Sequence, residues 1–145
     1  MELRVKKTHR NAKLPSRATE GSAGLDLSAA LDETVIIPPG EVRSISTGIA
    51  IEIPEGMVAF LFARSSLGLK HSVSLVNSVG VIDNDYRGTV SILLINHSDT
   101  PFQIENGDRL AQLIITSFVS PDIVEVEKLS DTERNTGGFG STGTK

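Results

Sequence analysis

The chain is 145 residues long, with 14 Lys plus Arg against 18 Asp plus Glu, a formal charge of −4, 39% hydrophobic residues and no cysteine. One domain is the default at this length, and a core can be buried without staples; the lack of cysteine excludes a disulfide framework, a thiolate metal site and a cysteine nucleophile. Net acidity opposes nucleic-acid binding through a basic face, no apolar run approaches the ~20 residues that span a bilayer, and no apolar stretch follows the charged Met1–Arg10, so the expectation is a cytoplasmic protein with neither nucleic acid nor membrane as partner.

Apolar residues come in short runs cut by Gly and Pro, the pattern of many short strands. Thr34–Ile37 is a β-branched run stopped by Pro38-Pro39-Gly40. Glu41–Ser46 alternates, and Ile49–Ile53 alternates cleanly after it. Pro54-Glu55-Gly56 is a turn, with a fixed φ from Pro and a permissive one from Gly. Val58–Ala63 is continuously apolar and reads as a strand buried on both faces. Val73–Val76 is short, whereas Thr89–Ile95 and Leu110–Thr116 are the two strongest β runs. Ile123–Glu127 alternates once more, broken at Val124. No window of a dozen residues carries an i, i+3, i+4, i+7 apolar stripe, so an all-β sandwich, jelly roll or barrel is expected. Composition shifts near Leu129. From Ser130 to Lys145 the only large apolar residue is Phe139, and four glycines fall within Gly137–Gly143. This divides the chain into a β-rich domain, 1–129, and a tail, 130–145, that cannot pack by itself.

Four segments carry chemistry beyond scaffold. Arg64-Ser65-Ser66-Leu67-Gly68 follows the Val58–Ala63 strand and gathers a planar cation, two hydroxyls and bare backbone N–H groups, an inventory that suits phosphate; a polar loop with a Ser cap on a helical turn is the plainer reading. Gly80–Gly88 reads as a β-hairpin whose Asn84-Asp85 tip is explained by turn chemistry alone. Its functional reading places Asp83 at a cleft edge as a base and the Tyr86 ring beside it, with the Asn77 amide able to read a base edge. In Gly107–Ile114, Gln112 interrupts an apolar strand; burying an unpartnered amide costs ~1–3 kcal/mol, so it is exposed or meets a polar ligand. Asp108-Arg109 reads as an ion pair where that strand starts. In Arg134–Gly143 an Arg, glycines and two hydroxyls have the chemistry of a phosphate-wrapping loop, and the one aromatic has no core to join. Asp26, a carboxylate inside an apolar alternation, reads by itself as structural. His9, His71 and His97 lack metal-ligand spacing, and no Gly-x-Ser-x-Gly elbow is present.

In this order Ala23–Ala30, Arg64–Gly68, Gly80–Gly88, Gly107–Leu113 and Arg134–Gly143 resemble the five motifs of the homotrimeric dUTPase family, the dUTP diphosphatases. The resemblance implies a β-clip or jelly-roll-like subunit, a flexible Gly-rich C-terminal arm that closes over the active site, and a homotrimer with sites between subunits. It implies hydrolysis of dUTP to dUMP and pyrophosphate with Mg²⁺, which supplies dUMP for dTMP synthesis and keeps uracil out of DNA. By motif match, Asp83 would activate the water that attacks the α-phosphate in line. Tyr86 would lie under the deoxyribose and exclude a 2′-hydroxyl, while Asn77 and the backbone from Gly80 read uracil. Arg64, Ser65, Ser66 and Gln112 would contact phosphates, and Asp26 would hold waters around Mg²⁺. Arg134, Gly140, Ser141 and Thr142 would wrap the terminal phosphates as Phe139 stacks on uracil. Three positions depart from the motifs: Ala63 and Ser66 stand where many relatives carry Pro and Gly, and Asn135 stands where Gly usually follows the Arg. Asn is the residue after Gly that best tolerates a left-handed φ. A dCTP deaminase on the same fold would need a Glu near the pyrimidine C4, and none is matched. A non-catalytic nucleotide-binding protein on this scaffold would not need the intact Asp83, Tyr86 and Arg134.

Overall fold

The computed structural model describes residues 1–138. In chain order it contains β1 (Arg4–Lys7), β2 (Leu25–Ser28), β3 (Val35–Ile37), β4 (Val42–Glu52), β5 (Met57–Ala63), the helix α1 (Ser65–His71), β6 (Val73–Leu75), β7 (Gly80–Ile82), β8 (Thr89–Asn96), β9 (Phe102–Ile104) and β10 (Arg109–Ser117). The strands form two four-stranded sheets, ordered β1-β4-β8-β6 and β2-β10-β5-β7, and a β3-β9 pair. All pairings are antiparallel. Ile45, Ile49 and Ile92 from the first sheet meet Leu27, Leu61 and Leu113 from the second in one buried cluster. Each such side chain contributes about 1.5–3 kcal/mol by leaving water.

The two alternating runs before residue 54 are one eleven-residue strand, β4. They look separate because the register against β8 shifts between Ser46 and Ala50. At that irregularity Gly48 adopts φ 64, and a Cβ there would stand 2.7 Å from those of both Ala30 and His9. Only Gly fits both the angle and the space. The neighbouring Thr47 is buried and donates its hydroxyl to the Val90 carbonyl at 2.6 Å.

Several expectations need correction. Gly80–Gly88 is not a hydrogen-bonded hairpin: β7 pairs with β5, whereas β8 pairs with β4 and β6. Ile123–Glu127 forms no strand; Ile123 is 99% exposed and Val124 74%. Alternation alone makes no strand where no neighbouring backbone offers a ladder. In β5 only Val58, Ala59 and Leu61 are buried, while Phe60 and Phe62 stay half-exposed with their rings edge to face at 6.4 Å. The stretch after Arg64 is the helix α1, with Arg64 itself as N-cap and no capping side chain. Its C-cap, Ser72, is left-handed, with φ 52 and ψ 38, and returns its N–H to Gly68.

Candidate functional site

The separation of β7 and β8 into different sheets creates a cleft. β7 is the last strand of its sheet, so one of its edges has no strand beside it. Across from it lie Thr89, Val90, Ser91 and Leu93 of β8, and the cleft between holds about 270 Å³. Ligand pockets run from roughly 300 to 1,000 Å³, so this volume suits one ring system with little more. Asn77, Gly80, Asp83 and Tyr86 all line it, which joins four of the residues expected to act together. Gly80 is buried, and a Cβ there would press on Leu61 at 3.0 Å, so the absent side chain lets β7 lie flat on β5. Ser78 adopts φ 61, and the Val79 N–H donates to the Asn77 carbonyl at 2.6 Å. That tight turn occupies the Asn77 backbone and leaves its exposed amide for a partner.

The Asp83–Tyr86 turn is closed by the Tyr86 N–H on the Asp83 carbonyl at 3.2 Å. The Arg87 guanidinium braces it by donating to the carbonyls of Asn84 at 2.6 Å and Tyr86 at 3.1 Å. Asp83 is exposed at the mouth of the cleft. The Tyr86 hydroxyl donates to the Thr89 carbonyl at 3.2 Å, and the residue is 47% exposed. The arrangement therefore presents an open carboxylate beside a fixed ring and a polar amide.

A second cluster forms where β2, β10 and the start of α1 meet. Asp26 stands opposite Gln112 in the β2–β10 register and is 5% exposed. Its Oδ2 accepts from the Arg109 guanidinium at 2.9 Å, and its Oδ1 lies 3.5 Å from the Arg64 Nε. Arg64 also donates to the Arg109 carbonyl at 3.3 Å. Ser65 is exposed, Ser66 half-buried, and Gln112 exposed with its chain packed over Gly24, where a Cβ would meet it at 3.1 Å. Arg109 does not pair with Asp108 as expected: the Asp108 carboxylate accepts the Glu105 N–H at 2.8 Å, which frees Arg109 for Asp26. The sequence offered Arg109 only as a partner of Asp108; its proximity to Asp26 is a product of strand pairing across 83 residues.

The two clusters sit at opposite ends of β5. Ile82 pairs with Ala59, so Asp83 is level with Val58, whereas Arg64 follows Ala63. Six strand residues at about 3.3 Å each separate them by about 20 Å. Arg134 is exposed in a turn closed by the Gly137 N–H on its carbonyl at 2.9 Å, and Asn135 takes a left-handed φ of 45. Phe139, Gly140, Ser141 and Thr142 lie outside the described residues. No group of three or more His, Cys, Asp or Glu side chains that could hold a metal occurs among the described residues. No helix among them is long and apolar enough to cross a membrane. Away from both clusters, hydrogen bonds from Arg10 and then His9 hold the Asp32 carboxyl below its ordinary value.

Fold and site together define an antiparallel β protein with a ring-sized cleft and a separate arginine–carboxylate cluster. Comparison with known proteins gives the family. The dUTPase family model matches residues 10–143, and the chain belongs to the dUTPase family. It is 50% identical over 145 residues, the full length of both chains, to a deoxyuridine 5'-triphosphate nucleotidohydrolase of Hydrogenobaculum sp.. A protein of the same description from Oryza sativa is 50% identical over 141 residues, 97% of this chain and 80% of that one. The structure of the Staphylococcus bacteriophage 80alpha dUTPase with dUPNHPP superimposes with a TM-score of 0.89 at 32% identity, covering 98% of each chain.

Proposed function

We propose that the chain hydrolyses dUTP to dUMP and pyrophosphate, with the β7–β8 cleft as its base and sugar site. The observation that carries this is the convergence of Asn77, Gly80, Asp83 and Tyr86 on one ring-sized cleft, in a chain of the dUTPase family. Uracil enters between the β7 edge and β8, where the Asn77 amide and backbone groups from Gly80 onward meet its edge. Tyr86 lies against the deoxyribose and leaves no room for a 2′-hydroxyl. Asp83 accepts a proton from the water whose oxygen attacks the α-phosphorus. The bond from that phosphorus to the bridging oxygen breaks in line, and pyrophosphate leaves. Phosphoryl transfer of this kind depends chiefly on positioning and charge stabilisation.

The phosphates need the other cluster: Arg64, Ser65, Ser66 and Gln112. A separation of about 20 Å within one chain keeps Arg64 and Asp83 from sharing a substrate. Two copies that each bring one half solve this, and a closed homotrimer supplies such sites in a ring. The tail from Ser130 is the arm that closes each site, with Arg134 on the terminal phosphates and Gly140, Ser141, Thr142 and Phe139 completing the wrap. An arginine delivered this way is worth about 10³–10⁵ in rate in other phosphoryl-transfer systems. Domain 1–129 is then the scaffold and 130–145 the closing arm.

Asp26 suits a Mg²⁺ that arrives with the triphosphate. Mg²⁺ keeps most of its waters and takes one or two carboxylates with substrate phosphates. Each Asp26 oxygen meets one arginine and keeps a lone pair for a water. Bound there, Mg²⁺ would neutralise charge on the phosphate oxygens, which a chain of net charge −4 does not attract at long range. A cytoplasmic setting, suited to a deoxynucleotide substrate, belongs to the same proposal. The test is Asp83→Asn. It should abolish pyrophosphate release from dUTP while a non-hydrolysable dUTP analogue still binds. Lost binding with residual turnover would contradict the role of Asp83.

A further inference from the structure

We infer that Gly88 is a specificity-determining positioning residue, because its bare Cα is the seat on which the Tyr86 ring rests. A Cβ built at Gly88 would stand 2.3 Å from the Tyr86 hydroxyl oxygen, 2.5 Å from Cζ and 2.9 Å from Cε2. Real Cβ atoms do not approach so closely, so any side chain at 88 moves the ring. Backbone conformation does not account for the glycine. The positive-φ glycines among the described residues are Gly40, Gly48, Gly56 and Gly107, and Gly88 is not among them. The backbone therefore leaves room for an alanine, and the three atoms nearest to its Cβ all belong to Tyr86.

The seat has a second support. With the ring across Gly88, the Tyr86 hydroxyl reaches the Thr89 carbonyl at 3.2 Å. Thr89 is itself held by the Thr8 hydroxyl just past β1, whose oxygen lies 2.9 Å from its own. Gly88 below and Thr89 at the tip thus fix the ring of a residue that is 47% exposed. The ring's position sets the space left for a sugar, so the choice between deoxyribose and ribose depends on residue 88 through residue 86. This rests on the reading of Tyr86 as the sugar contact.

The test compares Gly88→Ala, Tyr86→Ala and the double variant, with kcat/KM measured for dUTP and UTP. Gly88→Ala should lower the dUTP preference by about 10–100-fold, the range in which ångström-scale misplacement of a positioning group falls. In the Tyr86→Ala background the same substitution should change nothing further, since there is no ring to displace. Tyr86 is the only tyrosine of the chain, which has no tryptophan, so tyrosine emission reads this ring alone. It should change in Gly88→Ala with the hydrogen bond to Thr89 lost. Should Gly88→Ala not fold, folding of the double variant would still locate the clash at the ring. Failure of both to fold would overturn the inference by making the glycine a backbone requirement. So would full dUTP preference in Gly88→Ala when Tyr86→Ala has lost it. An unchanged preference in Tyr86→Ala would instead sink the sugar-contact reading on which the inference stands.

Discussion

Replacing Asp26 by Asn keeps the shape of a side chain that is 5% exposed and removes its charge. In the native protein one oxygen takes the Arg109 guanidinium at 2.9 Å and the other faces the Arg64 Nε at 3.5 Å. Removing one partner of a fully buried pair costs about 3–5 kcal/mol. Here only the carboxylate is buried; the Arg64 and Arg109 side chains are 26% and 52% exposed and can hydrate once released. The short contact to Arg109 therefore dominates, and a charged hydrogen bond of that kind is worth about 1.5–3 kcal/mol. Over 145 residues an unfolding entropy of ~2.1 cal/mol/K per residue gives ~0.3 kcal/mol/K, so Tm should fall by about 5–10 °C. Arg64 keeps its bond to the Arg109 carbonyl at 3.3 Å, so it loosens without leaving, and KM for dUTP should rise more than kcat falls. Thermal melts and steady-state kinetics at several Mg²⁺ concentrations read both effects. An unchanged Tm with only a raised Mg²⁺ requirement would refute the ion-pair reasoning and leave Asp26 as a metal contact alone.

Deletion of residues 131–145 should leave the assembled mass intact, read by light scattering, and reduce dUTP turnover by about 10³-fold or more; near-full activity would show the arm to be spare. The Asp32 carboxyl, held low by Arg10 and His9, titrates below its ordinary 3.8. Its contribution to stability is therefore present above that value and disappears as pH falls through the depressed one. Melts of Asp32→Asn should lie slightly below those of the unaltered protein at neutral pH and converge with them in acid. A gap that widened toward acid would contradict the sign. The effect is small because the group is exposed and hydrated.

Much of the molecule could be read from residues alone where side chains obey a local rule. β8 and β10 are runs of β-branched and aliphatic residues, and both form where the sequence put them. Gln112 interrupts β10 and is exposed, one of the two outcomes that the cost of burying an amide allowed. What stayed hidden depends on which strands meet. β1, β7 and β9 are three or four residues long, too short for periodicity to show. The cleft exists because β7 and β8 join different sheets, and no feature of Gly80–Gly88 distinguishes that from an ordinary hairpin. The same holds for Asp26, whose partners are Arg64 at the N-cap of α1 and Arg109 at the start of β10. Ile123–Glu127 shows the converse: its alternation is real but finds no ladder among the described residues. The roles of Asp83 and Tyr86 came from motif resemblance, since turn chemistry alone explains Asp and Asn at such a tip.

In the proposed homotrimer each active site joins the Asp83 cleft of one copy to the Arg64 cluster of another. Asp83→Asn and Arg64→Ala chains, each inactive or nearly so alone, can be mixed in equal amounts, unfolded and refolded together, and assayed for pyrophosphate release from dUTP. If the halves come from different copies, random assembly gives about a quarter of the sites both intact halves, and the mixture recovers about that share of normal activity. A mixture no more active than its parents would place both halves in a single copy and contradict the account.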